Sequence, residues 1–116
     1  MRTLVFNLQT VDAALADFGR AWKSGKKDAA AQIGFETWGL MHRILSPKRV
    51  EIIRIMLDAG PLSIREIAHR IGRDFKGVRS DVTLLVETGV INREESGELI
   101  FPYDKVHVDF EISAAA

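Results

Sequence analysis

Between residues 65 and 83 the chain gathers Arg65, Arg70, Arg73, Lys76 and Arg79 with the hydroxyls of Ser80 and Thr83. These groups carry out no bond-making chemistry on their own; they donate hydrogen bonds to anionic and carbonyl oxygens. The steps from 76 to 79, 80 and 83 are those of one helix face. A cation on such a face pairs with the O6 and N7 of guanine, and a hydroxyl pairs with a base or phosphate oxygen. Gly77 interrupts the row. It is costly in a helix interior, which points to a close backbone approach, either to phosphates or to another helix. On a merely solvated helical hairpin the same residues would serve only solubility.

The elements that must position these groups are legible in residues 63–89. Ser63 is an N-cap and Glu66 completes a capping box, so a helix starts at Ile64. Ile64, Ile67, Ala68 and Ile71 line its inner face, and Gly72 stops it. Asp74 caps a second helix, Phe75 to Thr88, with Val78, Val82, Leu85 and Val86 inward and Gly89 at its end. Ala68 is small where two helices must cross closely, as a helix-turn-helix requires. The first two turns of the second helix would be the part that reaches base edges in a major groove.

Past Gly89 the period changes from helix to strand. Val90 to Arg93 and Leu99 to Tyr103 read as two strands joined by a tight EESG loop, with Gly97 free to take positive φ. Pro102 belongs at an edge because it cannot donate a ladder hydrogen bond. A helix-turn-helix followed by a hairpin is the winged-helix order. Glu94, Glu95 and Glu98 make the tip acidic, so Arg93 is its obvious phosphate ligand and wing contact is expected to be poor.

Upstream, Ser46-Pro47 is the strongest helix start in the chain. The helix it opens, Pro47 to Ala59, is apolar nearly all round and should be central, with Lys48, Arg49 and Arg54 on its wet face. Phe35 to Leu45 reads as a short helix with Phe35, Trp38, Leu40, Met41 and Leu45 mostly inside. Thr3 to Leu8 is a short strand. Val11 to about Lys23 is a helix with Leu15, Phe18 and Trp22 in one stripe, and Lys23 to Asp28 is a turn. Lys105 to Ile112 alternates strictly, with Val106, Val108, Phe110 and Ile112 on one side. That strand is too apolar to dangle and could pair with Thr3–Leu8 of the same or a second chain. Ser113 to Ala116 is expected to be disordered.

The fold class that results is mostly α with a small β-hairpin wing (α+β): a winged helix-turn-helix with an N-terminal strand–helix extension and a C-terminal strand. Residues 1–34 form the extension, 35–104 the DNA-binding domain, and 105–116 the final strand and tail.

The 116 residues suit one domain, and 47% hydrophobic and 28% charged content are ordinary for a globular protein. No apolar run approaches the roughly 20 residues of a membrane span, and the N-terminus lacks the h-region of a secretory signal. The cytoplasm is the default compartment. With no cysteine, disulfides and thiolate chemistry are excluded. Net charge is zero, yet residues 42–80 hold nine Lys or Arg against four acids, and residues 81–116 two against eight. Positive charge gathered around one helix pair can make a basic face on a neutral chain. An acidic remainder discourages indiscriminate binding.

The stretches LSPKR (45–49), GPLSIREIA (60–68), IGRDFKGV (71–78), Asp81-Val82, LVETGVI (85–91) and PYDKV (102–106) resemble the MarR-like winged-helix family of bacterial and archaeal transcriptional regulators. The resemblance covers about the last two-thirds of the chain. It implies a DNA-binding regulator, usually dimeric, with Phe75–Thr88 as recognition helix. The acidic wing and Gly77 depart from the family pattern. Some small winged-helix proteins of this kind look like antitoxins, so a toxin protein is a second possible partner.

The expected site is therefore Arg65, Arg70, Arg73, Lys76, Gly77, Arg79, Ser80, Thr83 and Arg93 on double-stranded DNA. Leu15, Phe18, Trp22, Val108 and Phe110 are expected to hold a homodimer. An enzyme is the weakest reading. His42, His69 and His107 fall in different elements without metal-ligand spacing, and neither a phosphate loop nor a nucleophile elbow is present. No cofactor is expected.

Overall fold

A computed structural model of the chain describes residues 2–8, 31–112 and 114. The expected helix at Val11 to Lys23, its stripe of Leu15, Phe18 and Trp22, and the turn after it lie outside the described residues.

The described residues form an α+β fold with a helical core of four helices and a small antiparallel hairpin near the C-terminus. Strand β1 (Thr3–Leu8) and strand β2 (Ala31–Phe35) precede helices α1 (Trp38–Ile44), α2 (Pro47–Met56), α3 (Ile64–Ile71) and α4 (Phe75–Glu87). The hairpin β3 (Asn92–Arg93) and β4 (Leu99–Ile100) and the last strand β5 (Lys105–Asp109) follow.

The helix starts follow the cap residues. Ser46, Ser63 and Asp74 accept from the backbone N–H of Arg49, Glu66 and Gly77, each satisfying a donor the first turn leaves open. Gly72 takes φ 78°, the left-handed conformation that lets α3 end and the chain turn into α4. The N–H groups of both Gly72 and Arg73 return to the carbonyl of Ala68. At the far end of α4, Gly89 N–H donates to Val86 and Val90 N–H to Leu85, the paired bonds of a Schellman stop.

The core runs through these helices. Ile53, Ile67, Val82 and Leu85, the inward positions of the helical pattern, are all buried, and so are Ile52, Met56 and Val78. Ala68 is buried too, on a helix that packs against both α2 and α4. The hairpin closes one side: Leu62 forms an isolated antiparallel bridge with Leu99, both of their N–H groups donating across it. That third segment of the wing sheet carries no sequence signal beyond a single leucine after proline.

Several boundaries differ from the pattern reading. Phe35 does not begin a helix. It ends β2, and α1 starts three residues later behind the Thr37 cap. Phe35 and Met41 are buried as expected, but Trp38 and Leu40 are exposed and Ile44 takes the inner position instead. Helix α2 stops at Met56 rather than Ala59 because Asp58 adopts φ 54° and donates its N–H to the Tyr103 carbonyl. Its apolar surface is not all inside, for Val50 is 45% exposed. The hairpin strands are two residues each, because Val90 and Ile91 are still bonded to the end of α4.

The remaining strands form a second sheet in the order β2-β1-β5, all parallel. The alternating strand near the C-terminus thus pairs with Thr3–Leu8 of its own chain. Its ladder ends at Asp109, before Phe110 and Ile112. Cross-strand partners share a face, so Leu4, Phe6 and Leu8 lie beside Ile33, Phe35, Val106 and Val108. Leu4, Phe6 and Phe35 join the helical core, where the Phe6 and Phe35 rings are 6.0 Å apart. No helix among the described residues is long and apolar enough to cross a membrane.

Candidate nucleic-acid interface

The packing of α4 on α2 and α3 through Val78, Val82 and Leu85 leaves Lys76, Arg79 and Ser80 exposed on its opposite side, with Thr83 half-buried beside them. They line a shallow open depression of about 550 Å³, completed by Arg49, Asp81, Leu84 and Glu87. The hydrogen-bond donors of the expected reading row are therefore brought together on one surface.

Arg49 is the member that pattern reading misses, having been placed on the wet face of α2. It is held by Asp81: Arg49 Nε lies 3.2 Å from Asp81 Oδ1, and Arg73 Nη2 lies 2.9 Å from Asp81 Oδ2. Arg49 Nη1 also donates to the carbonyl of Arg43. One carboxylate thus ties the start of α2 and the α3–α4 turn to the middle of α4. All three side chains are largely covered, with 21% of each Arg and 14% of Asp81 exposed. A sequence signal for Asp81 does exist. It stands one residue from Val82 and four before Leu85, at the margin of the buried stripe, where an acid requires a cation or several donors.

This changes the place of Arg73. It belongs to the expected DNA site, but one of its terminal nitrogens is bonded to Asp81 and the other, Nη1, is buried. Gly77 also gains a local explanation. A Cβ there would stand 3.0 Å from Asp74 Oδ1 and 3.3 Å from Arg73 Nη2. The missing side chain makes room for the helix's own cap and for the clamped guanidinium, and the close approach is not to another helix.

Arg65 and Arg70 are exposed on α3. The Arg65 guanidinium sits 5.7 Å from the ring centroid of Phe75, which is itself 44% exposed at the first residue of α4. Such a cation–ring contact holds a long side chain against the start of the helix. Arg93 is exposed in β3, and Glu94 and Glu95 beside it are exposed as well. Glu94 N–H donates to the Glu98 carbonyl across the hairpin, so the three acids are held at one tip. The wing is thus acidic at the position where a basic one would meet a backbone.

His42 lies against Trp38, with ring centroids 5.6 Å apart, while His69 and His107 are exposed on other elements. Among the described residues no group of three or more His, Cys, Asp or Glu is placed to hold a metal ion.

No curated protein and no solved structure matches the chain. One family model does, over residues 44–108, which run from the end of α1 through the helix-turn-helix and hairpin into β5 and make up more than half of the sequence. By that match, the chain belongs to the HVO_A0114 family.

Proposed function

We propose that the chain is a sequence-specific DNA-binding transcriptional regulator, probing the major groove with the first two turns of α4. The observation that carries this reading is the joint exposure of Lys76, Arg79 and Ser80 on the N-terminal half of a helix whose other side is locked into a helix-turn-helix. That is where a recognition helix presents its base-reading side chains. Lys76 and Arg79 supply donors suited to guanine, and Ser80 and Thr83 supply shorter-range polar contacts. Arg65 and Arg70 lie outward on α3, suited to phosphates flanking the groove. The resemblance to MarR-like regulators supports the same reading.

Selection from a random duplex pool tests it. The full chain should enrich a defined site, and Lys76→Ala with Arg79→Ala should abolish that enrichment while leaving the fold intact. A double variant that enriches the same site as the parent sinks the assignment, and so does a parent that enriches none.

A second reading is favoured by the acidic hairpin, Glu94, Glu95 and Glu98. This tip repels a phosphate backbone and suits a basic protein surface, as an antitoxin that neutralises a toxin protein would need. Retention of a basic partner that is lost with Glu94→Lys/Glu95→Lys, and kept with Lys76→Ala/Arg79→Ala, distinguishes it.

A further inference from the structure

The β2-β1-β5 sheet ends on β5, whose outer side has no strand against it among the described residues. Lys105, His107, Val108 and Asp109 are exposed and only Val106 is half-buried. An edge of this kind presents free N–H and C=O groups to any strand that arrives, and natural sheets blunt it with proline, a bulge or inward charge. The sequence KVHVD has no proline and no inward charge, and the charged side chains that also guard edges are here Lys105 and Asp109 alone. These two charges stand at opposite ends of the strand, with one valine on each side of His107.

That order is complementary to itself when reversed. We propose that β5 pairs antiparallel with β5 of a second copy, across a two-fold axis passing beside His107. In this register Lys105 faces Asp109 of the second copy, Val106 faces its Val108, and His107 faces its own equivalent. Symmetry repeats each contact, giving two opposite-charge pairs and two valine pairs. Directly opposed pairs of both kinds stabilise a sheet, and like charges in the same places destabilise it. The other edge, β2 (AQIGF), carries no charge that could fix a register.

The apolar surface next to the edge points to the same occupant. Val108 is on the face of Leu4 and Phe6 yet remains 47% exposed. Phe110, one step on, stacks on the exposed Trp38 with centroids 4.3 Å apart and rings 20° from parallel. A five-residue strand covers far less than the roughly 800 Å² per partner of a stable interface. Val108, Phe110 and Trp38 are exposed apolar side chains on or next to the C-terminal end of β5, and the pairing draws on them for the remaining area. A closed two-fold pair requires one self-complementary patch, which the edge and these side chains together provide.

The pairing involves no nucleic acid, so its test stands apart from the reading of α4. Light scattering and sedimentation of the full chain at micromolar concentration should give twice the 13.0 kDa chain mass. Lys105→Glu and Asp109→Lys should each weaken the dimer by roughly tenfold or more, since each creates two like-charge pairs. Combining them should restore it, because the pairs are then reversed rather than broken. The chain has no cysteine, so His107→Cys should give a disulfide-linked dimer under mild oxidation. Lys105→Cys, also at an exposed position but opposite Asp109, should cross-link at least tenfold more slowly. A monomeric parent, single charge reversals without effect, a double reversal that does not rescue, or equal cross-linking at 105 and 107 would each overturn the proposal.

Discussion

The α3–α4 turn and the first two turns of α4 are both basic, yet their cations stand in different situations. Arg73 in the turn and Arg49 on α2 share the Asp81 carboxylate and are largely covered. Lys76 and Arg79, three and six residues after Arg73, are exposed, and among the described residues no salt bridge holds either one. The contrast shows that the formal charge of a segment does not say which of its cations can reach a partner. Two of the nine that make residues 42–80 basic fix the angle of α4, and their removal and that of the exposed pair should have opposite signatures.

The sharpest way to break that contrast is Asp81→Ala. It leaves two mostly covered guanidiniums without their carboxylate, and loss of one partner from a buried charge network is strongly destabilising. Because about a fifth of each Arg remains wet, we expect about 2–4 kcal/mol, below the largest values for fully buried pairs. Urea unfolding measures it. Asp81→Asn, which keeps the shape and one acceptor oxygen, should lose less. A change under about 0.5 kcal/mol for Asp81→Ala would mean that hydrophobic contacts alone set the angle of α4.

Most of the helical frame behind this clamp was legible from short-range chemistry. The Ser46, Ser63 and Asp74 caps, and the inward positions Ile53, Ile67, Val82 and Leu85, follow from spacing within a few residues of chain. What was missed depends on partners far away in sequence. Strand β2 holds Gly34 and two residues of weak strand preference, and it becomes a strand through its parallel ladder with β1, about 27 residues earlier. The Leu62–Leu99 bridge is of the same kind. In the candidate site the row of Lys76, Arg79, Ser80 and Thr83 was readable as one helix face. The role of Arg49 was not, because its partner Asp81 lies 32 residues away.

Next in size is the comparison of Arg73→Ala with Lys76→Ala. Arg73→Ala should destabilise the fold by about 1–2 kcal/mol, since it removes one of the two cations on Asp81. The slope of binding against salt should then be nearly unchanged. Lys76→Ala should leave stability within about 0.5 kcal/mol and weaken binding to the selected duplex by about 1–3 kcal/mol. Thermal melts and duplex titrations over a salt series, run on the same two proteins, separate the effects. If Arg73→Ala flattens the salt slope by a full contact while leaving stability alone, the clamp opens on DNA and Arg73 reaches a phosphate after all.

A smaller effect sharpens the contrast between α4 and the hairpin. Glu94→Lys with Glu95→Lys reverses the charge of the tip at two exposed positions. New phosphate contacts there should steepen the salt slope by about 0.9 for each one formed. The gain in affinity should be at most about 1 kcal/mol, as for other exposed charge pairs. It should appear equally on the selected site and on unrelated duplexes. A gain confined to the selected site would make the wing a reader of sequence.

The smallest change is expected at Gly77, where two opposing contributions nearly cancel. Alanine is favoured over glycine in a helix interior by about 1 kcal/mol. Its Cβ, however, would stand 3.0 Å from Asp74 Oδ1, on the side chain that caps the helix through a 2.8 Å bond from the Gly77 N–H. The same Cβ would also stand 3.3 Å from Arg73 Nη2, on a side chain that is itself held by Asp81. Disturbing an Asp cap forfeits about 1 kcal/mol, so Gly77→Ala alone should shift stability by less than about 0.5 kcal/mol. The cancellation can be taken apart with a double-mutant cycle. In an Asp74→Ala background there is no cap to disturb, and Gly77→Ala should then stabilise the chain by about 1 kcal/mol. Equal effects in both backgrounds would show that the glycine is not there for the cap, and that the space beside Arg73 serves something outside the chain.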